Sequence, residues 1–213
     1  MQQILVYADS LSWGIIPNTR QRLPFDQRWP GVMELALNTQ NNKVRVIEDC
    51  LNGRRTVWDD PFKAGRNGLK GLTQRIEVNS PLALVILMLG TNDFQSAHNN
   101  NAWHSAQGIN SLIQAIRSAP VEPDMPLPPI LVIAPPAIQP TKGNMTEKFA
   151  GADQKCAGLA TAYQTVCADS GCFFFDASSI VNASEIDGVH LDTKAHLALG
   201  QALSELVPKL LNH

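Results

Sequence analysis

Residues Leu82 to Leu89, LALVILML, form an almost unbroken apolar run that stops at Gly90-Thr91-Asn92-Asp93. A strand with one wet face alternates apolar and polar residues, so this run fits a central parallel strand covered on both sides. Parallel neighbours need crossover connections, usually helical. The rest of the chain has to supply those strands and helices.

It does so in order. Ile4, Leu5, Val6 and Tyr7 are strand-favouring and end at Ala8-Asp9-Ser10. Ile15 to Trp29 has no steady period and is expected to form a loop over the strand ends, after which Pro30 suits the first turn of a helix. Val44, Val46 and Ile47 predict a second strand, ending in Asp49-Cys50-Leu51-Asn52-Gly53-Arg54-Arg55. Trp58 to Asn67 is a second expected loop, and Leu69, Leu72 and Ile76 mark a helix. Ile109, Leu112, Ile113 and Ile116 give helical spacing within Ser105 to Ser118. Ile130 to Ala134 predicts a strand, followed by a loop over Ala137 to Phe149. Cys156, Leu159, Ala160, Tyr163, Val166 and Cys167 read as one helical face, Gly171 as its end, and Phe173 to Phe175 as a fifth strand. Asp187-Gly188-Val189-His190 precedes a last helix from about Thr193.

Five alternations of strand and helix imply an α/β fold: a flavodoxin-like three-layer α/β/α sandwich around a five-stranded parallel sheet, in the order 2-1-3-4-5. Residues 1–213 are expected to form a single domain. Formal net charge is −2 and charged residues make up 17%, which argues against nucleic acid as a partner. No apolar run reaches the length of a membrane span, and the first residues read as a core strand rather than a leader, so a cytoplasmic protein without a membrane partner is expected.

Cys50, Cys156, Cys167 and Cys172 show no CxxC spacing and are expected to be ordinary buried side chains. In one helix Cys156 and Cys167 would lie roughly 16 Å apart along the axis, too far to bridge. Asn144-Met145-Thr146 and Asn182-Ala183-Ser184 match the glycosylation sequon by chance on this reading. No histidine pair has metal-binding spacing with a carboxylate, and neither metal nor cofactor is expected. His98, His104, His196 and His213 are read as surface residues.

In the 2-1-3-4-5 order the polar segments at Ser10, Gly53, Asn92 and Asp187/His190 fall on one rim, beyond the carboxyl ends of the strands. A serine hydroxyl becomes a useful nucleophile when a base takes its proton, and a histidine oriented by a carboxylate is the usual base. Asp187 and His190 are close enough in sequence for the carboxylate to reach one ring nitrogen, leaving the other for Ser10. Attack on an ester carbonyl makes an oxyanion, for which the N–H groups of Ser10 and Gly53 and the Asn92 amide are candidate donors. Each residue also has a structural reading: Ser10 as a helix cap, Asn92 bonded to its own turn, Gly53 as a bend, Asp187 to His190 as a helix start. Asp93 is expected to orient the turn rather than to act chemically.

The blocks occur together and in order: ADSL at Ala8 to Leu11, LNGR at Leu51 to Arg54, GTND at Gly90 to Asp93 and DGVH at Asp187 to His190. In this the chain resembles the SGNH (GDSL-type) hydrolase superfamily, from its first strand to its last helix. The resemblance implies Ser10 as nucleophile and first oxyanion N–H, Gly53 and Asn92 as the other donors, His190 as base and Asp187 as its orienting carboxylate. SLSWG, Arg28-Trp29, LNGRRT followed by DDP, and MLGTND are similar to the arylesterase/acyltransferase branch. That branch implies hydrolysis of short acyl esters, acyl transfer to alcohols and a homo-oligomer. It also implies that Trp13, Ile15, Trp58 and Ala137, with their loops, shape the acyl and alcohol sites.

One position departs from the family pattern. The glycine usual before Asp-Ser is Ala8 here, which would strain the serine turn if positive φ were needed and merely tighten packing if φ were ordinary. The second outcome is expected. Two other functions stand beside the esterase: a carbohydrate acetylesterase, and a binding module on this fold with weakened catalysis.

Overall fold

The computed structural model describes residues 1–39 and 43–211. His213, read as a surface residue, lies outside the described residues. In chain order the elements are β1 (Gln2–Ala8), α1 (Ser10–Trp13), α2 (Trp29–Thr39), β2 (Val44–Cys50), α3 (Leu72–Asn79) and β3 (Leu84–Met88). They continue with α4 (Ala102–Arg117), β4 (Ile130–Ala134), α5 (Ala152–Lys155), α6 (Leu159–Ser170), β5 (Phe173–Asp176) and α7 (Thr193–Leu211). The sheet has five strands in the order β2-β1-β3-β4-β5, and every pairing is parallel. The expected order and layering are therefore those observed.

The alternation of side chains along a strand divides the core in two. Leu5, Tyr7, Val85, Leu87 and Val132 face Leu72 and Ile76 of α3, Ile109 and Leu112 of α4, and Tyr163 of α6. Ile4, Val6, Ile86, Leu131 and Ile133 face Trp29, Met33 and Leu37 of α2 and Leu199, Leu203 and Val207 of α7. All of β3 is buried because it lies between β1 and β4 with helices on both faces. That position is the physical reason for the apolar run at Leu84 to Met88.

Two expectations are corrected. Cys156 and Cys167 do not share a helix: Gly158 adopts φ 79°, in the left-handed region, and separates α5 from α6. Helical spacing continued across this break, so periodicity alone could not reveal it. His196 is not a surface residue; it is completely buried where α7 meets α2, and its Nδ1 accepts the Trp29 N–H at 3.2 Å. The four cysteines are free thiols; Cys50, Cys156 and Cys167 are buried and Cys172 is half-buried. No helix among the described residues is long and apolar enough to cross a membrane.

Candidate active site

β1 delivers Ser10 to the rim. The strand ends at Ala8, and Asp9 then caps the single turn of α1 by accepting the Leu11 N–H at 2.9 Å. Ser10, the first residue of that turn, is 5% exposed. Ala8 lies in regular strand, paired with Cys50 and Met88, and its methyl group is buried in the core on the α2/α7 side. It is absent from the left-handed region, so alanine here carries no backbone strain. The departure from the family glycine is a packing change.

The turn after β2 brings Gly53 alongside. Its φ of 83° is readily adopted by glycine and by few other residues. Arg54 holds this turn: Nη1 donates to the Ala8 and Asp49 carbonyl oxygens at 3.0 and 2.5 Å, Nη2 donates to Asp49 Oδ1 at 2.6 Å, and the guanidinium lies over the Tyr7 ring at 3.8 Å. The ends of β1 and β2 are thus tied together beneath the serine. Neither Ser10 N–H nor Gly53 N–H is engaged by another described backbone or side-chain group.

Asn92 stands in a turn after β3 and is 3% exposed. Its amide nitrogen donates to Asp9 Oδ2 at 2.8 Å and to the Arg54 carbonyl at 3.2 Å, while its Oδ1 accepts from Gln95 at 2.6 Å. Asp93, next to it, is completely buried and points the other way. It accepts from Thr56 N at 2.9 Å, Thr56 Oγ1 at 2.7 Å and Ser105 Oγ at 2.7 Å. These contacts tie the turn to the neighbouring loop and to α4.

The segment before α7 supplies the remaining pair. His190 Nδ1 lies 2.7 Å from Asp187 Oδ2, and Asp187 Oδ1 accepts the N–H groups of Val189 and His190, each at 2.9 Å. Burial raises the Asp187 pKa, but the His190 hydrogen bond and charge and these two N–H groups outweigh it and bring it to about 2. Asp187 is therefore ionised at neutral pH and fixes the ring through Nδ1–H. His190 Nε2 is left as an acceptor.

Ser10, Gly53, Asn92 and His190 line one cavity, with Asp187 behind His190. Ile15, Arg20, Asn52, Asp60, Lys63, Met145, Lys148 and Phe149 complete the lining. The three loops expected to shape the site all contribute, but of Trp13, Ile15, Trp58 and Ala137 only Ile15 lines this cavity. Trp13 packs against the α2/α7 core with the Arg22 guanidinium 4.8 Å from its ring centre. Trp58 lies against the His98 and His104 rings, with centroids 6.4 Å away in each case. Ala137 is exposed and off the cavity wall. Loop position was legible in the sequence, whereas the direction of each side chain depends on contacts with other loops. Asp9 was also missed as a partner of Asn92; its place before the candidate serine was the available signal.

Among the described residues no group of histidines, cysteines and carboxylates is arranged to hold a metal ion.

Residues 9–198 match the GDSL-like lipase/acylhydrolase family. The inhibitor-bound structure of an aryl esterase from M. smegmatis is 32% identical, with a TM-score of 0.93 over 99% of this chain and 100% of that one. A carbohydrate acetylesterase from Sinorhizobium meliloti is 32% identical, with a TM-score of 0.92 over the same shares. A putative arylesterase from Agrobacterium tumefaciens str. C58 is 36% identical, with a TM-score of 0.89 over 99% of this chain and 100% of that one. A search of curated proteins finds no match. The chain belongs to the GDSL-like lipase/acylhydrolase family of SGNH carboxylic ester hydrolases.

Proposed function

We propose that the protein is a serine esterase for short acyl esters, with Ser10 as nucleophile, His190 as general base and Asp187 as the group that orients it. The observation that carries this reading is the 2.7 Å contact between His190 Nδ1 and an ionised Asp187, in a cavity wall shared with Ser10. With Nδ1–H donated to Asp187, Nε2 accepts the Ser10 proton as Oγ bonds to the ester carbon. The carbonyl oxygen becomes an oxyanion that receives the Ser10 and Gly53 N–H groups, joined by the Asn92 amide as its longer bond to Arg54 is given up. Collapse expels the alcohol, which takes the proton from His190. Water then repeats the sequence on the acyl-serine and releases the acid; an alcohol in place of water gives acyl transfer.

Cavity size supports the short acyl group. Its volume is about 60 Å³. A hollow of about 150 Å³ accommodates benzene, so an acetyl or propionyl group suits this space better than a long chain. The similarity to a carbohydrate acetylesterase favours a second reading, removal of acetyl groups from sugars.

Turnover of p-nitrophenyl acetate by wild type and Ser10→Ala, with folding checked for both, tests the mechanism. The expected result is cleavage by the wild type and none above the blank by the variant. Equal turnover by the two would remove Ser10 as nucleophile. Comparison of phenyl acetate with an acetylated sugar separates the two substrate readings.

A further inference from the structure

Arg20, Lys63 and Lys148 line the candidate active-site cavity, one from each of the three loops that surround it. Among the described residues none of the three forms an ion pair, whereas Arg22, Arg28, Arg45, Arg54, Arg55, Arg75 and Lys70 are each paired with a carboxylate. The lone carboxylate beside them in the cavity wall, Asp60, is already engaged. Its Oδ2 accepts from the buried Arg55 at 3.2 Å, and its Oδ1 accepts the Phe62 and Lys63 N–H groups at 2.9 and 3.1 Å. Glu147 lies outside this cavity, in an adjoining groove that Lys63 and Lys148 also line, and forms no ion pair with either among the described residues.

The three cations are near enough to feel one another. Lys148 is exposed by overall area, yet protein atoms crowd its ammonium, and this desolvation holds its pKa below the ordinary lysine range. Asp60 opposes the shift, while Arg55, Arg20 and Lys63 add to it. Three cations whose one carboxylate neighbour in the cavity wall, Asp60, is already held by Arg55 leave a positive excess at the cavity, and such a field attracts and orients an anion.

Resting on the esterase reading, we infer that the preferred substrate is an ester whose alcohol portion carries an anionic group, a carboxylate or phosphate, held by Arg20, Lys63 and Lys148. The alcohol side is assigned from exposure: the acyl group is placed at the buried Ser10, and the remainder of the substrate further out along the same cavity wall, where the side chains of these three residues are exposed. Bidentate contact from Arg20 suits a planar carboxylate or a phosphate, and the two ammonium groups add charge.

The test compares kcat/KM for 4-acetoxybenzoate with that for its neutral methyl ester, which have the same acyl group. The carboxylate is expected to be favoured by about tenfold at low salt, with the advantage shrinking as ionic strength rises. Arg20→Gln, Lys63→Gln and Lys148→Gln combined should bring the ratio toward one. 4-Acetoxyphenyl phosphate in a parallel arm tells which anion is preferred. Cleavage of the neutral ester with no salt-sensitive advantage for either anion would overturn the anionic subsite and leave the esterase intact. Failure to cleave any of these esters would instead count against the esterase reading. The subsite is then read without turnover, by calorimetric titration of 4-hydroxybenzoate and 4-hydroxyphenyl phosphate into Ser10→Ala. Binding of either anion that is lost with the three cations supports it, and no binding overturns it.

Discussion

Asn92 donates to Asp9 across 2.8 Å, joining the turn after β3 to the turn that carries Ser10. Asp9 is buried, and burial raises its pKa to about 6, against the opposing effects of the Leu11 N–H, His190, Asn92 and Arg54. The same carboxylate caps the serine turn and positions a candidate oxyanion donor.

These two tasks separate by mutation. Asn92→Ala should lower kcat by about 10² to 10³ if the amide stabilises the oxyanion. In Asp9→Asn the side-chain oxygen can still cap Leu11, but an amide then faces the Asn92 amide and the tie is lost. Stability near wild type with kcat reduced in the same direction as Asn92→Ala is expected, measured by urea unfolding and p-nitrophenyl acetate turnover. Unchanged kcat in Asn92→Ala would remove that residue from the oxyanion site.

Asp187→Asn addresses the tautomer of His190. The asparagine oxygen can keep the two backbone N–H contacts now made by Oδ1, but its amide would then meet Nδ1 and move the ring proton to Nε2. A ring protonated at Nε2 cannot accept from Ser10, and a loss of about 10⁴ in kcat is expected by analogy with catalytic triads in general. The urea midpoint serves as the control for folding. A loss smaller than tenfold would show that the carboxylate does not set the tautomer.

Asp93 should behave differently, because its three hydrogen bonds hold a loop and α4 rather than the cavity. Removing it leaves three buried donors, so Asp93→Ala is expected to destabilise by roughly 2–4 kcal/mol. Protein that remains folded should keep kcat within about tenfold of wild type. Collapse of kcat at unchanged urea midpoint would assign Asp93 to the chemistry instead.

The strand order and the approach of Ser10, Gly53, Asn92 and His190 were legible because strand ends in a parallel sheet share one rim, and the polar blocks follow those ends. What was not legible depended on side-chain direction and backbone handedness. Trp13 and Trp58 turn toward the α2/α7 core and toward two histidines, and Lys148 turns into the cavity, yet all three occupy loops or turns of similar composition. Gly158 interrupts a helix without interrupting its apolar spacing. His196 sits on the buried side of α7, one turn before Leu199 on that face, and its polarity alone suggested solvent.

That buried histidine predicts how stability changes with pH. Burial lowers the His196 pKa from 6.5 to about 3, with Asp192 opposing and the neighbouring His190 and Arg28 assisting. Between those values the unfolded chain binds a proton that the native state refuses, so stability falls as pH falls from about 6.5 toward 3. The full effect is of the order of 4 kcal/mol, a large part of an ordinary domain's stability. Asp9 acts in the opposite sense: its native pKa of about 6 against 3.8 makes the folded state the better proton binder, so acidification through that window stabilises. Asp187 contributes stability that is lost only below its unfolded value of 3.8, as pH falls toward 2. His196→Asn keeps an acceptor for the Trp29 N–H and removes the titrating ring. Urea midpoints at pH 7, 5.5 and 4.5 should fall only slightly for the wild type, because the Asp9 gain largely offsets the His196 loss, and should rise for the variant as Asp9 takes up its proton. The same pH dependence in the two proteins would mean that His196 is protonated at little cost in the native state.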